Sequence, residues 1–161
     1  PIDAAHVKGE VCVRGANVMK GYWNRSDATA AVFDADGWFH TGDVGYVDEE
    51  GYLLLCDRLK DMVISGGENV YPAEVESALF GHPAIAEIAV VGAPDERWGE
   101  RGVTVAALKP GASLTLEELR DYGADRLARY KLPLELRLVD ALPRNPTGKV
   151  LKNRLREMPG V

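Results

Sequence analysis

Two polar, glycine-containing segments of this sequence each end in a charged residue that could perform chemistry. The first, Gly-Trp-Phe-His-Thr-Gly-Asp, ends at Asp43, and a carboxylate held on a rigid turn can accept two hydrogen bonds from a ribose diol. The second, Pro-Thr-Gly-Lys, ends at Lys149, a cation that a loop could deliver to an anionic transition state. Each also fits a simpler role, because Asp after Thr-Gly is usual in turns and lysine is most often a solvated surface residue.

A third segment, residues 57–69, is rich in charge and contains the pair Gly66 and Gly67. Because glycine has no Cβ, this pair would let the backbone approach a thin ligand closely. The segment lacks the spacing Gly-x-x-x-x-Gly-Lys-Ser/Thr, so it is not a P-loop. Alternating charges also fit a solvated linker, and Gly-Gly also fits a hairpin turn.

The elements that must position these segments differ along the chain. In the first third, residues 8–15 alternate polar and apolar types, and residues 45–55 predict two strands joined by an Asp/Glu-Gly turn. Between them, Ser26 to Phe33 predicts a short helix. We therefore expect a small β-rich unit whose strand edges need covering.

Beyond a connector at residues 57–61, the order β-β-α-β-β-α-β-α predicts a compact α+β domain with a small sheet flanked by helices. A Thr-x-x-Glu capping box at Thr115 predicts a helix that carries Leu116, Leu119, Leu127 and Tyr130 largely on one side. The other expected elements are a helix at 72–79, strands at 85–91, near 103–108 and near 134–139, and a last helix at 150–157.

Composition excludes several classes of protein. The chain has 161 residues with 46% apolar types, and its charge is 19 − 25 = −6, which disfavours a nucleic-acid partner. We expect no transmembrane segment and no signal peptide, hence a cytoplasmic protein. Cys12 and Cys56 are expected to be reduced core thiols, and the three scattered histidines predict no metal site.

In this order, the three segments closely resemble the last motifs of the adenylate-forming superfamily, which includes acyl-CoA synthetases, luciferases and peptide-synthetase adenylation domains. The resemblance extends from about Gly9 to Arg156. It implies that residues 1–57 are the β-rich end of the large AMP-binding domain, that 58–61 are a hinge, and that 62–161 are the C-terminal lid domain. Family members use MgATP to convert a carboxylic acid to an acyl-adenylate and pyrophosphate, then transfer the acyl group to the thiol of CoA or of a carrier.

The resemblance also implies roles for individual residues in adenylation. Asp43 would bind the ribose hydroxyls of ATP, and Arg58 would add a second ribose or phosphate contact. Lys149 matches the catalytic lysine, which contacts the carboxylate of the acid and the phosphate oxygens. ATP and Mg²⁺ would be bound mainly by an N-terminal domain that has no counterpart in this sequence, so we expect no adenylation by this chain alone.

For the second half-reaction, Lys60 matches the hinge about which the lid domain rotates. Gly66 and Gly67 would then line the pantetheine channel of CoA, and Trp98 could stack on its adenine, a core or interface tryptophan being an equal alternative. The resemblance implies a ligase of a carboxylic or fatty acid, and Lys60 favours a CoA ligase over a peptide-synthetase domain. Pro159-Gly160-Val161 is not a peroxisomal signal.

The expected partners are therefore a carboxylic acid, ATP, CoA, the N-terminal domain and, through the exposed strand edges, a second copy of the chain. A different class of function remains open. The alternative is a free-standing, non-catalytic module that binds CoA or pairs with a separate large subunit.

Overall fold

The computed structural model describes residues 2 and 4–158, and their packing divides the chain into two units, Pro1–Lys60 and Asp61–Val161. Both units combine β-sheet with short helices, so the predicted α+β class is confirmed. Within the described part of the chain, no helix is both long and apolar enough to cross a membrane.

The first unit is built on one antiparallel sheet of three strands in the order β1-β2-β3. Its elements are β1 (Gly9–Val13), α1 (Ser26–Ala30), β2 (Phe39–Val47) and β3 (Leu53–Arg58). In the predicted turn between β2 and β3, the carboxylate of Asp48 accepts hydrogen bonds from the N–H groups of Glu50 and Tyr52. The sheet buries little of its apolar surface within this unit, since Leu53 and Leu55 are 52% and 64% exposed.

The second unit is a five-stranded sheet in the order β5-β4-β7-β6, with β8 paired in parallel to β7. Its elements are β4 (Val63–Ser65), β5 (Glu68–Val70), α2 (Pro72–Phe80), β6 (Ile85–Asp95), β7 (Gly99–Leu108), α3 (Leu116–Gly123), β8 (Glu135–Val139) and α4 (Lys152–Arg156). This order of elements from β4 onward is the predicted one. Residues on β6 alternate between two apolar clusters: Val90 packs with residues of α2 and α3, whereas Val91 packs with Leu155 of α4. The sheet is therefore covered by helices on both faces.

Three local predictions were wrong in extent. Helix α3 ends at Gly123, so Tyr130 is not on it and lies 47% exposed in a 3₁₀ turn, while Leu127 reaches the core from the turn after the helix. Glycine is a poor helix former, and a Cβ at Gly123 would be 3.0 Å from a methyl carbon of Leu79, so glycine eases the close approach of α2 there. Strand β6 continues beyond residue 91 through Pro94, which an edge strand tolerates. Helix α4 covers only the middle of residues 150–157.

Candidate functional site

Asp43 and Arg58 lie opposite each other on adjacent strands of the first unit. The antiparallel register pairs Asp43 of β2 with Arg58 of β3, and the Arg58 Nε donates to Asp43 Oδ1 at 2.7 Å. Thr41 Oγ1 accepts from the Asp43 N–H at 3.0 Å and donates to the carbonyl of Val11 at 2.7 Å. Asp43 is thus held within a strand and not in a turn, which corrects the local turn interpretation. The pair presents a carboxylate and a guanidinium side by side, and the side chains are 27% and 50% exposed.

A second polar cluster in this unit joins Glu10, Cys12 and His40 across β1 and β2. His40 Nδ1 lies 2.8 Å from Glu10 Oε2 and 3.6 Å from Cys12 Sγ, and one ligand-type atom from each residue lies within 4.8 Å of the others. The hydrogen bond to Glu10 raises the pKa of His40, and burial raises the pKa of the Cys12 thiol. The hydrogen bond between His40 and Glu10 accounts for the contact of these two side chains, and we assign no metal to the cluster. Glu10 and Cys12 are two positions apart, but His40 is 30 and 28 positions away from them, so spacing alone could not reveal the cluster.

The predicted hinge residue, Lys60, lies in a 3₁₀ turn at Leu59–Asp61 and is exposed. It is the last residue of the first unit. The next residue, Asp61, accepts a hydrogen bond from Arg156 Nη2 at 2.6 Å, with the Asp61 side chain 13% exposed. The first residue of the second unit, which immediately follows Lys60, is therefore bound to α4 of the same unit.

Gly66 and Gly67 form the predicted hairpin turn between β4 and β5, with φ values of 61° and 85°. Gly66 also contacts the turn between β6 and β7: its N–H donates to the Trp98 carbonyl at 2.9 Å. In that turn, Asp95 Oδ1 accepts from the N–H groups of Arg97 and Trp98, each at 2.9 Å. Trp98 is 40% exposed, so it is not a core tryptophan.

A cavity of about 580 Å³ opens beside Trp98, entirely within the second unit. The residues that line it are Ser65, Gly66, Glu68, Arg97, Trp98, Arg120, Arg129, Tyr130 and Leu134. Three arginines and two aromatic rings give it the chemistry to bind an anionic ligand that carries a flat ring. The structure thus brings Gly66 and Trp98 into one site, whereas neither Gly67 nor Lys149 lines it. Sequence reasoning missed the arginines and Tyr130, because they come from separate turns and helices and have no shared spacing.

Lys149 lies on an ordered loop between β8 and α4. Asn145 Oδ1 accepts three hydrogen bonds, from the Thr147 N–H at 3.1 Å, the Thr147 hydroxyl at 2.7 Å and the Lys149 N–H at 2.8 Å. The Asn145 N–H donates in turn to the Lys149 carbonyl at 2.9 Å. Gly148 has a φ of 86°, which only glycine adopts without strain. The backbone of the loop is therefore fixed locally, while the Lys149 side chain is exposed.

Comparison with known proteins identifies the family. Residues 74–149 match the AMP-binding enzyme C-terminal domain. The chain is 51% identical over 152 residues to a long-chain-fatty-acid–CoA ligase of Mycobacterium tuberculosis, covering 94% of this chain and 30% of the relative. It is 51% identical over 150 residues to a 2-succinylbenzoate–CoA ligase of Bacillus velezensis, covering 93% of this chain and 30% of the relative. The chain thus spans about a third of the length of these relatives.

Solved structures agree with the sequence relatives. The o-succinylbenzoate CoA synthetase of Bacillus subtilis, in complex with its acyl-adenylate intermediate, superposes with a TM-score of 0.86 at 48% identity, over 95% of this chain and 31% of that one. The ATP-bound protein MatB from Rhodopseudomonas palustris superposes with a TM-score of 0.87 at 42% identity, over 96% of this chain and 31% of that one. The sequence motifs, the fold and these matches lead to one conclusion: residues 74–149 belong to the AMP-binding enzyme C-terminal domain family, and the chain is similar over nearly its whole length to the C-terminal portion of acid–CoA ligases of the adenylate-forming superfamily.

Proposed function

We propose that this chain is the C-terminal part of an ATP-dependent acid–CoA ligase. Such an enzyme converts a carboxylic or fatty acid, ATP and CoA to acyl-CoA, AMP and pyrophosphate through an acyl-adenylate. The observation that carries the proposal is the arginine-lined cavity in which the ring of Trp98 covers Gly66. Its cations and aromatic surfaces suit the phosphates and the adenine of CoA, and the relatives are CoA ligases by name.

In the first half-reaction, Asp43 accepts hydrogen bonds from the ribose hydroxyls of ATP, while Arg58 orients Asp43 and donates to the ribose or a phosphate. Negative charge develops on the phosphorus and on the departing pyrophosphate, so a fixed cation stabilises the transition state more than the ground state. Lys149, on its ordered loop, supplies that cation to the carboxylate of the acid and the phosphate oxygens. Mg²⁺ and the triphosphate are held mainly by the N-terminal domain, and no residue of this chain is assigned to the metal.

In the second half-reaction, the unit that follows Lys60 rotates about that residue, removing Lys149 and bringing the CoA site to the acyl-adenylate. Gly66 and Gly67 line the pantetheine channel. The space beside Gly67 is open to a thin ligand, whereas the Trp98 ring packs against Gly66. Trp98 stacks on the adenine. The corresponding domains are residues 1–57 as the end of the AMP-binding domain, 58–61 as the hinge and 62–161 as the lid.

We infer that the first unit completes its fold against the N-terminal domain, since apolar side chains of β3 such as Leu53 and Leu55 are more than half exposed. Without that domain the chain forms no acyl-adenylate, because the family's phosphate loop and acyl pocket lie there. The N-terminal domain then determines which carboxylic acid the enzyme uses. A cytoplasmic location remains a prediction.

A second candidate is a non-catalytic CoA-binding module. It is favoured by one observation: every residue that lines the cavity beside Trp98 belongs to the second unit, so CoA could bind without the rest of an enzyme. The two candidates differ in whether Lys149 is used in chemistry.

The test uses the full-length protein that contains this chain. Acid-dependent exchange of pyrophosphate into ATP reports adenylation, and thioester formation from supplied acyl-adenylate reports the second step. The ligase proposal is supported if both activities are measured and if Trp98→Leu weakens CoA binding. CoA binding without either activity would favour the module, and no CoA binding would reject both.

A further inference from the structure

An ion pair joins the Lys149 loop to the central sheet. Arg144, at the start of the loop, donates from Nε to Glu87 Oε1 at 3.1 Å and also from Nη2 to the same oxygen. Its remaining nitrogen, Nη1, donates to the carbonyl of Gly148 at 2.8 Å. One guanidinium therefore links strand β6 to the peptide immediately before Lys149.

Glu87 is well placed to serve as the fixed end of this link. It lies on β6 beside an irregularity in the pairing with β7 between Ile85 and Glu87, and such bulges re-aim side chains. Its other oxygen accepts from the N–H of Leu142 at 3.0 Å, so both carboxylate oxygens are engaged. The side chain is 27% exposed, and the Leu142 N–H and the Arg144 guanidinium lower the pKa of Glu87. The carboxylate therefore stays ionised at neutral pH.

The hydrogen bonds of Asn145 cannot replace this link, because they join only atoms within the loop. They set the shape of the loop but not its position on the sheet. An error of about 1 Å in the placement of a catalytic group can cost about 100-fold in rate, so the anchor matters to any reaction that uses Lys149.

We propose that Glu87 and Arg144 are positioning residues that set the place of Lys149 for acyl-adenylate formation. This rests on the proposed function of Lys149. Neither residue contacts substrate: Arg144 acts through the Gly148 carbonyl, and Glu87 acts through Arg144. Their contribution therefore exists only while Lys149 is present.

A double-mutant cycle in the full-length protein tests this dependence. Arg144→Met should lower kcat for acid-dependent pyrophosphate exchange about 10- to 100-fold with little change in the KM for ATP. Thioester formation from supplied acyl-adenylate should stay near wild type. In the Lys149→Ala background, Arg144→Met should cause no further loss. Glu87→Gln should show the same pattern, with a smaller loss because the amide oxygen can still accept from Leu142.

Arg154→Met is the matched control, since Arg154 lies on α4 and its guanidinium pairs with the exposed Glu157, outside the loop. It should leave both half-reactions unchanged. The positioning role would be overturned if the losses of adenylation caused by Arg144→Met and Lys149→Ala were additive. It would also be overturned if Arg144→Met impaired both half-reactions equally. If Lys149→Ala impairs adenylation and Arg144→Met does not, this inference alone fails. If Lys149→Ala leaves adenylation intact, the assigned function of Lys149 fails as well.

Discussion

Gly66 lies directly against the indole ring of Trp98: a Cβ built on Gly66 would be 2.9 Å from Trp98 Cε3. The Gly66 N–H also donates to the Trp98 carbonyl at 2.9 Å. A hydrogen bond thus joins two turns from different hairpins, and the absence of a side chain at Gly66 allows their close contact. Any side chain at position 66 must displace the ring that forms one wall of the cavity.

We therefore expect Gly66→Ala to weaken CoA binding about tenfold, because relieving the overlap moves Trp98 and overpacking of this kind costs about 1–3 kcal/mol. Titration of the 161-residue chain with CoA, followed by calorimetry, measures the effect. Gly111→Ala is the control: Gly111 has a φ of 76° but nothing within 4 Å of its Cβ position, so it shares the backbone strain without the clash. Equal binding by the two variants would rule out the ring as a CoA contact.

Asp43→Asn should raise the KM for ATP of the full-length protein about 10- to 100-fold, since a hydrogen bond to a charged group contributes about 1.5–3 kcal/mol. Loss of the partly exposed ion pair with Arg58 should change stability by less than about 1 kcal/mol. Glu50→Gln, an exposed change in the same unit, should leave the KM unchanged. A fall in thermal midpoint with no change in KM would mean that Asp43 only supports the sheet.

Local signals in the sequence were sufficient for much of the fold. The capping box at Thr115 forms both of its bonds, with Thr115 Oγ1 accepting from the Glu118 N–H and Glu118 Oε2 accepting from the Thr115 N–H. These contacts span three residues, so sequence spacing reports them directly. The order of strands and helices after Lys60 follows from the same kind of signal.

The candidate sites depend on contacts between distant residues, and there sequence reasoning was incomplete. The Asp43–Arg58 pair needs the exact register of β2 on β3, and the Glu87–Arg144 pair joins residues 57 positions apart. The end of α3 was missed because the apolar pattern continues past Gly123, whereas the helix ends at this glycine, which packs close to Leu79. Tertiary packing overrides local periodicity in such places.

The Glu10–His40 pair should make the pairing of β1 and β2 depend on pH. Glu10 raises the pKa of His40 above its ordinary value of 6.5, so the folded state favours the protonated ring. This stabilisation is fully present below pH 6.5 and is lost as the pH rises through the raised pKa. In NMR titrations, Glu10→Gln should bring the pKa of His40 back toward 6.5. An unchanged titration would show that Glu10 does not stabilise the imidazolium.

The exposed apolar face of the first sheet should make the isolated 161-residue chain self-associate. Val47 pairs with Leu53 across β2 and β3, and Leu55 lies on the same face; the three are 42%, 52% and 64% exposed. The double change Leu53→Lys and Leu55→Lys should give a monomer by sedimentation. Leu138→Lys, at a 50% exposed position of the second unit, is the control and should not. A monomeric wild-type chain with well-protected strand amides would contradict the prediction.

Lys149 and Lys60 should affect opposite half-reactions of the full-length protein. A preorganised charge contact is worth about 3–5 kcal/mol at the transition state, so Lys149→Ala should reduce acyl-adenylate formation by about two to four powers of ten. Transfer from supplied acyl-adenylate to CoA should fall far less, because rotation carries the lysine away before that step.

Lys60→Pro should give the reverse pattern. Proline fixes φ near −65°, which restricts rotation about residue 60 and so slows thioester formation, while the adenylating arrangement stays accessible if the backbone angle there is compatible. Each half-reaction is measured separately by rapid quench, with purified acyl-adenylate supplied for the second. Equal losses in both steps for Lys149→Ala would mean that this lysine serves folding or general binding. Equal losses for Lys60→Pro would mean that residue 60 is not the point of rotation, and the two-state mechanism would then require another hinge.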